Sequence, residues 1–335
     1  MLQLSIRHHK RKLSLENHIR SAMATSFILF LPQDQYSEDL ASYFNEGDLN
    51  ATVNHVDALY GIKKPRLSME VFTKMINIIE DITIGTTSRE NAIVRLLQLD
   101  LLPIENKFNM AIIEIVRKLP CVSIAENANE YELSMRYIDP FLRGLFDDPD
   151  QGVFLRWTNE ITLEARKHEG FSIFRPDLTI SSLHGMKWKT TYGYGEAKSA
   201  AQGTNNFLIC QDLLRVAILC KDVLDLQNME GVLGLQVIGR TITFYVVVLP
   251  ATGLYVMRKL AKIKVPDCLD DLTKIIMDMP QALLVLDIFN RVCVPSIDPP
   301  IPTRHRPTIT TAVLNGIFSS SQDRKRSCLL KHHHN

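Results

Sequence analysis

The sequence has few extreme features, and its scarcities narrow the field. Of 335 residues, 6 are cysteine and 2 are tryptophan. Cys121, Cys210, Cys220, Cys268, Cys293 and Cys328 form no CxxC pair, and none stands beside a histidine at zinc-ligand spacing. Several sit inside apolar runs such as Leu208-Ile209-Cys210, which reads as reduced core thiols in a reducing compartment, nucleus or cytoplasm. Charge of one sign is equally scarce, with 38 Lys+Arg against 37 Asp+Glu. That balance argues against non-specific coating of nucleic acid, which needs many phosphate neutralisations, while leaving room for a local basic groove. No apolar run approaches the ~20 residues that span a bilayer, so no membrane association is expected. Familiar nucleotide and hydrolase signatures are missing too. Gly193-Tyr194-Gly195 has Lys198 where a dinucleotide fingerprint needs its third glycine, and neither GxxxxGK nor GxSxG occurs. His55, His168 and His184 are isolated, and the terminal His332 to His334 carry no weight as a metal site.

What remains is the composition of a globular chain, 46% hydrophobic and 22% charged. The length suits two domains, or one large domain with an extension. Residues 1–36 read as a basic N-terminal extension. Arg7-His8-His9-Lys10-Arg11-Lys12 could serve as a nuclear address, as could Arg324-Lys325-Arg326. Met23 is an alternative start, which would leave residues 1–22 with little structural weight, and Ser26–Leu31 reads as a short core strand or helix start. Residues 37–126 read as a helical region. Val71, Met75, Ile78 and Ile79 recur at helical spacing, Thr87 or Ser88 is positioned to cap the next helix, and Pro120 stops another.

Residues 127–294 read as the core. A helix over Asn129–Phe146 carries Glu132, Arg136, Asp139 and Arg143 on its polar side and is kinked or restarted at Pro140. The period then changes to strands over Val153–Trp157, Ser172–Ser182, Thr190–Ala200, Gly231–Ile238, Thr241–Leu249 and Leu254–Leu260. One long apolar helix, Asn205–Leu226, lies between the third and fourth. This order predicts an α/β fold with a mixed central sheet flanked by helices. From Val294 prolines crowd, and 295–335 reads as a flexible tail.

Two strings carry chemistry: Arg175-Pro176-Asp177 and Gly195-Glu196-Ala197-Lys198. Alternation puts Tyr194, Glu196 and Lys198 on one face of a strand, with Gly193, Gly195 and Ala197 on the other, where small residues would admit a closely packed helix. Asp177 and Glu196, on adjacent strands, can share a hard divalent ion such as Mg2+ or Mn2+, with the Ala197 carbonyl as a further ligand. Such an ion lowers the pKa of a bound water, and Lys198 is placed to position that water or stabilise a pentacovalent transition state. Glu132 is the first candidate for a third acid, with Glu130 and Glu160 as alternatives.

Pro176-Asp177 and Glu196-Ala197-Lys198, in a helix–strand–strand–strand–helix–strand order, resemble the PD-(D/E)xK, or restriction-endonuclease-like, nuclease superfamily over roughly Asn129 to Lys264. The resemblance implies a restriction-endonuclease-like core and metal-dependent hydrolysis of phosphodiester bonds in DNA or RNA. Some branches place a tyrosine four residues after a glutamine in the helix that follows the lysine. Here Gln211 is followed at that spacing by Arg215, a departure from the RecB-like pattern. The stretch from Tyr131 to Pro295, through strings such as Leu155-Arg156-Trp157-Thr158-Asn159-Glu160 and Asp212-Leu213-Leu214-Arg215, also resembles an expanded group of uncharacterised proteins of early-diverging filamentous fungi. That closer resemblance implies no activity.

The candidate nucleic-acid contacts are Lys187, Lys189, Tyr194 and Arg215. From Gln151 to Lys264 there are 14 Lys and Arg against 9 Asp and Glu. Lys187, Lys189, Arg258, Lys259, Lys262 and Lys264 could line a backbone groove, or form a solvated edge that protects exposed strands. Tyr194 could stack on a base or simply pack. Arg215 could meet a phosphate or pair with Asp212 one helical turn back. The expected partner is nucleic acid. The alternatives are a catalytically decayed module that binds nucleic acid or protein without cleavage, and a scaffold on which Glu196 and Lys198 form a mere surface pair. Oligomeric state is not legible.

Overall fold

The computed structural model describes residues 13–32, 44–124, 128–167, 173–298 and 304–319. The basic run at 7–12, His168, Ser172, Arg324–Arg326, Cys328 and the terminal histidines lie outside the described residues.

The chain begins with β1 (Leu13–Ser14), α1 (Ile19–Ala24) and β2 (Ile28–Leu31). Four helices follow: α2 (Glu46–Leu59), α3 (Met69–Thr83), α4 (Arg89–Leu97) and α5 (Pro103–Lys118). Side-chain acceptors start three of them. Asn45, Ser68 and Ser88 each accept the backbone N–H three residues on, satisfying a donor that has no intrahelical partner. Pro103 opens α5, where its missing N–H costs nothing.

The helix over 130–146 is interrupted. α6 (Glu130–Leu133) passes through a π-helical turn, Ser134–Ile138, before α7 (Asp139–Phe146) resumes with Pro140 in its first turn. β3 (Val153–Trp157), α8 (Leu163–Lys167), β4 (Leu178–His184) and β5 (Lys187–Lys198) come next. α9 (Asn206–Gln227) then leads to β6 (Gly231–Ile238), β7 (Thr241–Ala251) and β8 (Leu254–Lys264). The described chain closes with α10 (Leu272–Met277), α11 (Met279–Arg291), α12 (Thr311–Ile317) and β9 (Phe318–Ser319).

The result is the expected α/β architecture: a mixed sheet of seven strands, ordered β2-β8-β7-β6-β5-β4-β3, between helical layers. β3, β4 and β5 form an antiparallel meander. β5 and β6 are parallel, a pairing that needs a crossover, and α9 supplies it. Gly239, at φ 55°, makes the tight turn from β6 to β7.

One face of the sheet packs on α5, α7 and α11, and α2 to α4 share that same core. The other face packs on α9, α1 and α12. Gly193 and Gly195 serve neighbouring strands rather than a closely packed helix. A Cβ at Gly195 would lie 2.9 Å from the Leu178 side chain and 3.0 Å from that of Leu235. The close helical approach is elsewhere, at Gly144, where a Cβ would meet the Ala111 backbone at 2.2 Å.

Residues 13–24 and 304–319 carry more structure than the sequence indicates, whereas Ser26–Leu31 holds the expected short core strand. Ile19, Ala22 and Met23 are buried on the α9 side, and β2 is the sheet's edge strand, parallel to β8. β9 pairs with β1, and Leu314 and Phe318 are buried in the same layer. Residues 304–319 are therefore docked.

Candidate functional site

β5 and the residue before β4 bring the candidate groups to one end of the sheet. Gly195 pairs with Leu178, so the next step outward sets Glu196 beside Asp177. The Asp177 backbone carbonyl accepts the Thr158 N–H at 2.8 Å, and its Oδ2 accepts the Ala197 N–H at 2.8 Å. Its carboxylate is thereby fixed against the strand bearing Glu196 and Lys198.

Tyr194, Glu196 and Lys198 do share a face, but α9 covers it. The Glu196 side chain is only 1% exposed. That burial excludes a merely solvent-facing Glu196–Lys198 pair.

α9 contributes the two residues that complete the cluster. Asp212 Oδ2 lies 3.2 Å from Lys198 Nζ, and Arg215 Nη2 lies 3.2 Å from Glu196 Oε1. Arg215 Nη1 is also 3.4 Å from Asp212 Oδ1, and Nη2 donates to the Arg175 carbonyl at 3.2 Å. Lys198 Nζ donates to the Ala197 carbonyl at 2.9 Å and stands 3.7 Å from Asp177 Oδ2. One ammonium is thus surrounded by oxygens from Asp177, Ala197 and Asp212.

Three carboxyl groups share two cations here, and the imbalance is visible. Burial, with Asp177 next in weight, pushes the Glu196 carboxyl up to about 9. Burial also raises Asp212, despite Lys198 and Arg215. Burial alone would lower the Lys198 ammonium, but Asp212 and Asp177 outweigh it and raise it. Glu196 Oε1 and Asp212 Oδ2 are buried without an aligned hydrogen-bond donor, although each has a cation nearby. Such atoms are costly unless something satisfies them.

The donor chemistry fits a hard divalent ion: carboxylate oxygens of Asp177 and Glu196, with the Ala197 carbonyl adjacent. The fit is of donor chemistry. Among the described residues, no three His, Cys, Asp or Glu side chains converge as a metal-ligating group.

Other candidates lie elsewhere or are engaged. Glu132 is bound by Arg136 at 3.0 Å, and the charges acting on Glu196 are Asp177, Arg215, Asp212 and Lys198. The acid that joins the cluster is Asp212, from the following helix. Glu130 is exposed at the start of α6, and Glu160 is held by Arg166 at 2.8 Å. Tyr194 is 2% exposed and donates its hydroxyl to Glu164 at 2.6 Å, so it cannot stack on a base without leaving the core.

Lys187 and Lys189 sit by the β4–β5 hairpin, roughly 30 Å along the strand from Lys198 at ~3.3 Å per residue. They do not flank the cluster. Arg258, another groove candidate, is clamped by Asp57 at 2.9 Å. Arg215 is in the cluster, and both of its acidic partners belong to it.

Asp212 had a weak signal in the sequence as an acid three residues before Arg215 in an otherwise apolar helix. Only the crossover reveals that it meets Lys198. Gln236 is a further buried member, paired in register with Glu196 and donating to the Ile209 carbonyl at 2.8 Å.

Among the described residues, Cys121, Cys210, Cys220, Cys268 and Cys293 form no disulfide, and all but Cys121 are buried. No helix among the described residues is long and apolar enough to cross a membrane. Compared with protein-family models, with curated proteins and with solved structures, the chain matches none.

Proposed function

We propose that this protein is a divalent-metal-dependent nuclease that hydrolyses phosphodiester bonds of DNA or RNA, acting in the nucleus or cytoplasm. The observation that carries this reading is the meeting of three carboxyl groups, Asp177, Glu196 and Asp212, with two cations, Lys198 and Arg215, in which buried oxygens of Glu196 and Asp212 keep no aligned donor. Asp177 and Glu196, with the Ala197 carbonyl, would hold Mg2+ or Mn2+. When bound, that ion supplies a water of lowered pKa and neutralises charge on the phosphate.

The chain's own residues do the rest. Asp177 is oriented by the Ala197 N–H, so its carboxylate needs no reorganisation. Lys198 offers an ammonium at the centre of the cluster to stabilise charge on the phosphoryl oxygens of the transition state. Asp212, 3.2 Å from Lys198 Nζ, holds that ammonium in place and keeps it protonated. Buried Glu196 is uncharged at neutral pH until a cation compensates it, which ties its ionisation to ion binding.

One observation favours a second reading. The Arg215 guanidinium lies 3.2 Å from Glu196, where it offsets charge that an ion would otherwise offset. A module that binds nucleic acid or protein without cleaving would retain this pair.

Cleavage of labelled single- and double-stranded DNA and RNA in Mg2+ or Mn2+, with EDTA controls, separates the two. The nuclease reading expects metal-dependent cleavage by the wild type, none by Asp177→Ala or Glu196→Ala, and a slowed rate in Lys198→Ala. Binding without cleavage, shared by wild type and variants, would favour the non-enzymatic module.

A further inference from the structure

A second cluster of charge lies beside this centre, on the same face of the sheet. Arg156 pairs across β4 with Thr179, and Thr179 pairs with Tyr194. Asp177 and Glu196 are each two residues along from that row. A period of two therefore puts Arg156 on their side of the sheet, its backbone roughly 7 Å along the strands from that pair and its guanidinium turned towards Trp188, which pairs with Leu183 farther from the centre. Arg156 and Arg166 border a small cleft floored by hydroxyl groups, among them Thr179, Ser181 and Thr191.

Arg156 is rigidly presented. Its guanidinium carbon lies 4.0 Å from the centroid of the Trp188 ring, a stacking geometry that fixes the plane of the fork. Its nearest ion-pair partner, Glu160 Oε2, is 4.0 Å away, beyond direct hydrogen-bond reach. The same Glu160 oxygen accepts from Arg166 at 2.8 Å. Burial, reinforced by the charge of Arg166, pulls the Arg156 guanidinium below its ordinary value. One exposed carboxylate thus serves two arginines and reaches only one of them. The other nearby acid, Glu164, is turned inward, where it accepts from Tyr194 and Gln227.

We propose that Arg156 and Arg166 form a phosphate-binding subsite that seats a nucleic-acid backbone phosphate next to the Asp177–Glu196–Lys198 centre, with the Glu160 carboxylate as its displaceable stand-in. Glu160 is 59% exposed and swings clear into water at little cost. A phosphate offers several acceptor oxygens where Glu160 presents one, and can engage both guanidinium forks together. The subsite rests on the nuclease reading for its partner. It gives the polymer a direction across the sheet, from Arg166 over β3 towards Lys198.

The test is anisotropy of 5′-labelled oligonucleotides, single- and double-stranded, in EDTA so that binding is read without cleavage. Arg166→Ala is the primary variant, because its side chain is half exposed. Arg156→Ala is the second, with circular dichroism to confirm folding. Each is expected to weaken binding about tenfold and to reduce the slope of log affinity against log salt by about 0.7 to 0.9. Glu160→Gln is expected to tighten binding, whereas Glu90→Gln, neutralising an exposed acid on α4, leaves it unchanged.

Wild-type affinity in both arginine variants, with cleavage intact in the wild type, would overturn the subsite and leave the nuclease standing. Binding lost in both variants, with no cleavage by the wild type in Mn2+, would support the subsite and overturn the nuclease. No binding by the wild type would overturn both. Unchanged affinity in Glu160→Gln would remove Glu160 as the stand-in.

Discussion

Two charged clusters are buried along α9, and they are built on opposite terms. Near the helix end, Lys221 Nζ donates to Asp225 at 2.7 Å, to the Arg306 carbonyl at 2.6 Å and to Thr308 Oγ1 at 2.9 Å. All three of its donors are used, and it also lies 4.5 Å from the centroid of the Tyr255 ring. The Thr308 hydroxyl donates in turn to Asp222 at 3.0 Å, and Tyr255 donates to Asp225. Three turns earlier, Glu196 and Asp212 each keep a buried oxygen without an aligned donor, and both carboxyls are raised. The Glu196, Asp212 and Asp225 carboxyls are all largely buried, but only the last is satisfied. The saturated cluster is glue that ties residues 304–308 to the core. The unsaturated one keeps buried carboxyl oxygens that folding alone does not satisfy, the feature on which the proposed metal site rests.

The sharpest way to break this comparison is Lys221→Met. Removing one member of a buried, hydrogen-bonded charge cluster strands the carboxylates, and a loss of about 3–5 kcal/mol in unfolding free energy is expected. Urea denaturation reads it, and a loss below about 1 kcal/mol would mean that the cluster is not the clamp described.

Next in size is Asp212→Asn, which loosens Lys198 and is expected to lower cleavage about 10- to 100-fold, the usual cost of losing a group that orients an active residue. Glu132→Ala is expected to leave cleavage at the wild-type rate. Rates in the reverse order would return the third acid to α6.

A separate prediction concerns stability against pH. The Glu196 carboxyl is raised from 4.5 to about 9 on folding. Its contribution is therefore fully present below pH 4.5 and is lost as pH rises through about 9. Relative to Glu196→Gln, the wild type should lose stability steadily across that window. Parallel curves for the two proteins would contradict the raised carboxyl.

The sequence carried much of the sheet and less of the site. β3 and β6 were legible to the residue, because apolar runs of strand length between turn signals have few alternative readings. α9 was legible within a residue for the same reason. Asp177, Glu196 and Lys198 were legible as neighbours because period-two alternation and one hairpin suffice to bring them together. Glu132 pairs with Arg136 on a helix whose π-helical turn at Ser134–Ile138 inserts an extra residue per turn. A polar stripe drawn at 3.6 residues loses its phase there.

Asp212 was hidden because its partner Lys198 lies across a crossover, a contact with no local periodicity. Tyr194 was assigned to the right face, but nothing local shows that α8 and α9 bury it. The ends were misjudged for a related reason. β1 and β9 are two residues each and form only by pairing with one another across nearly the whole chain.

The most direct measurement is a calorimetric titration of Mn2+ into the whole protein at pH 7, repeated in two buffers of different ionisation enthalpy. Uptake of one ion per chain with release of a proton is predicted, because Glu196 must ionise to bind it, and Asp177→Ala and Glu196→Ala should abolish both. No uptake, or uptake that survives either substitution, would contradict the site.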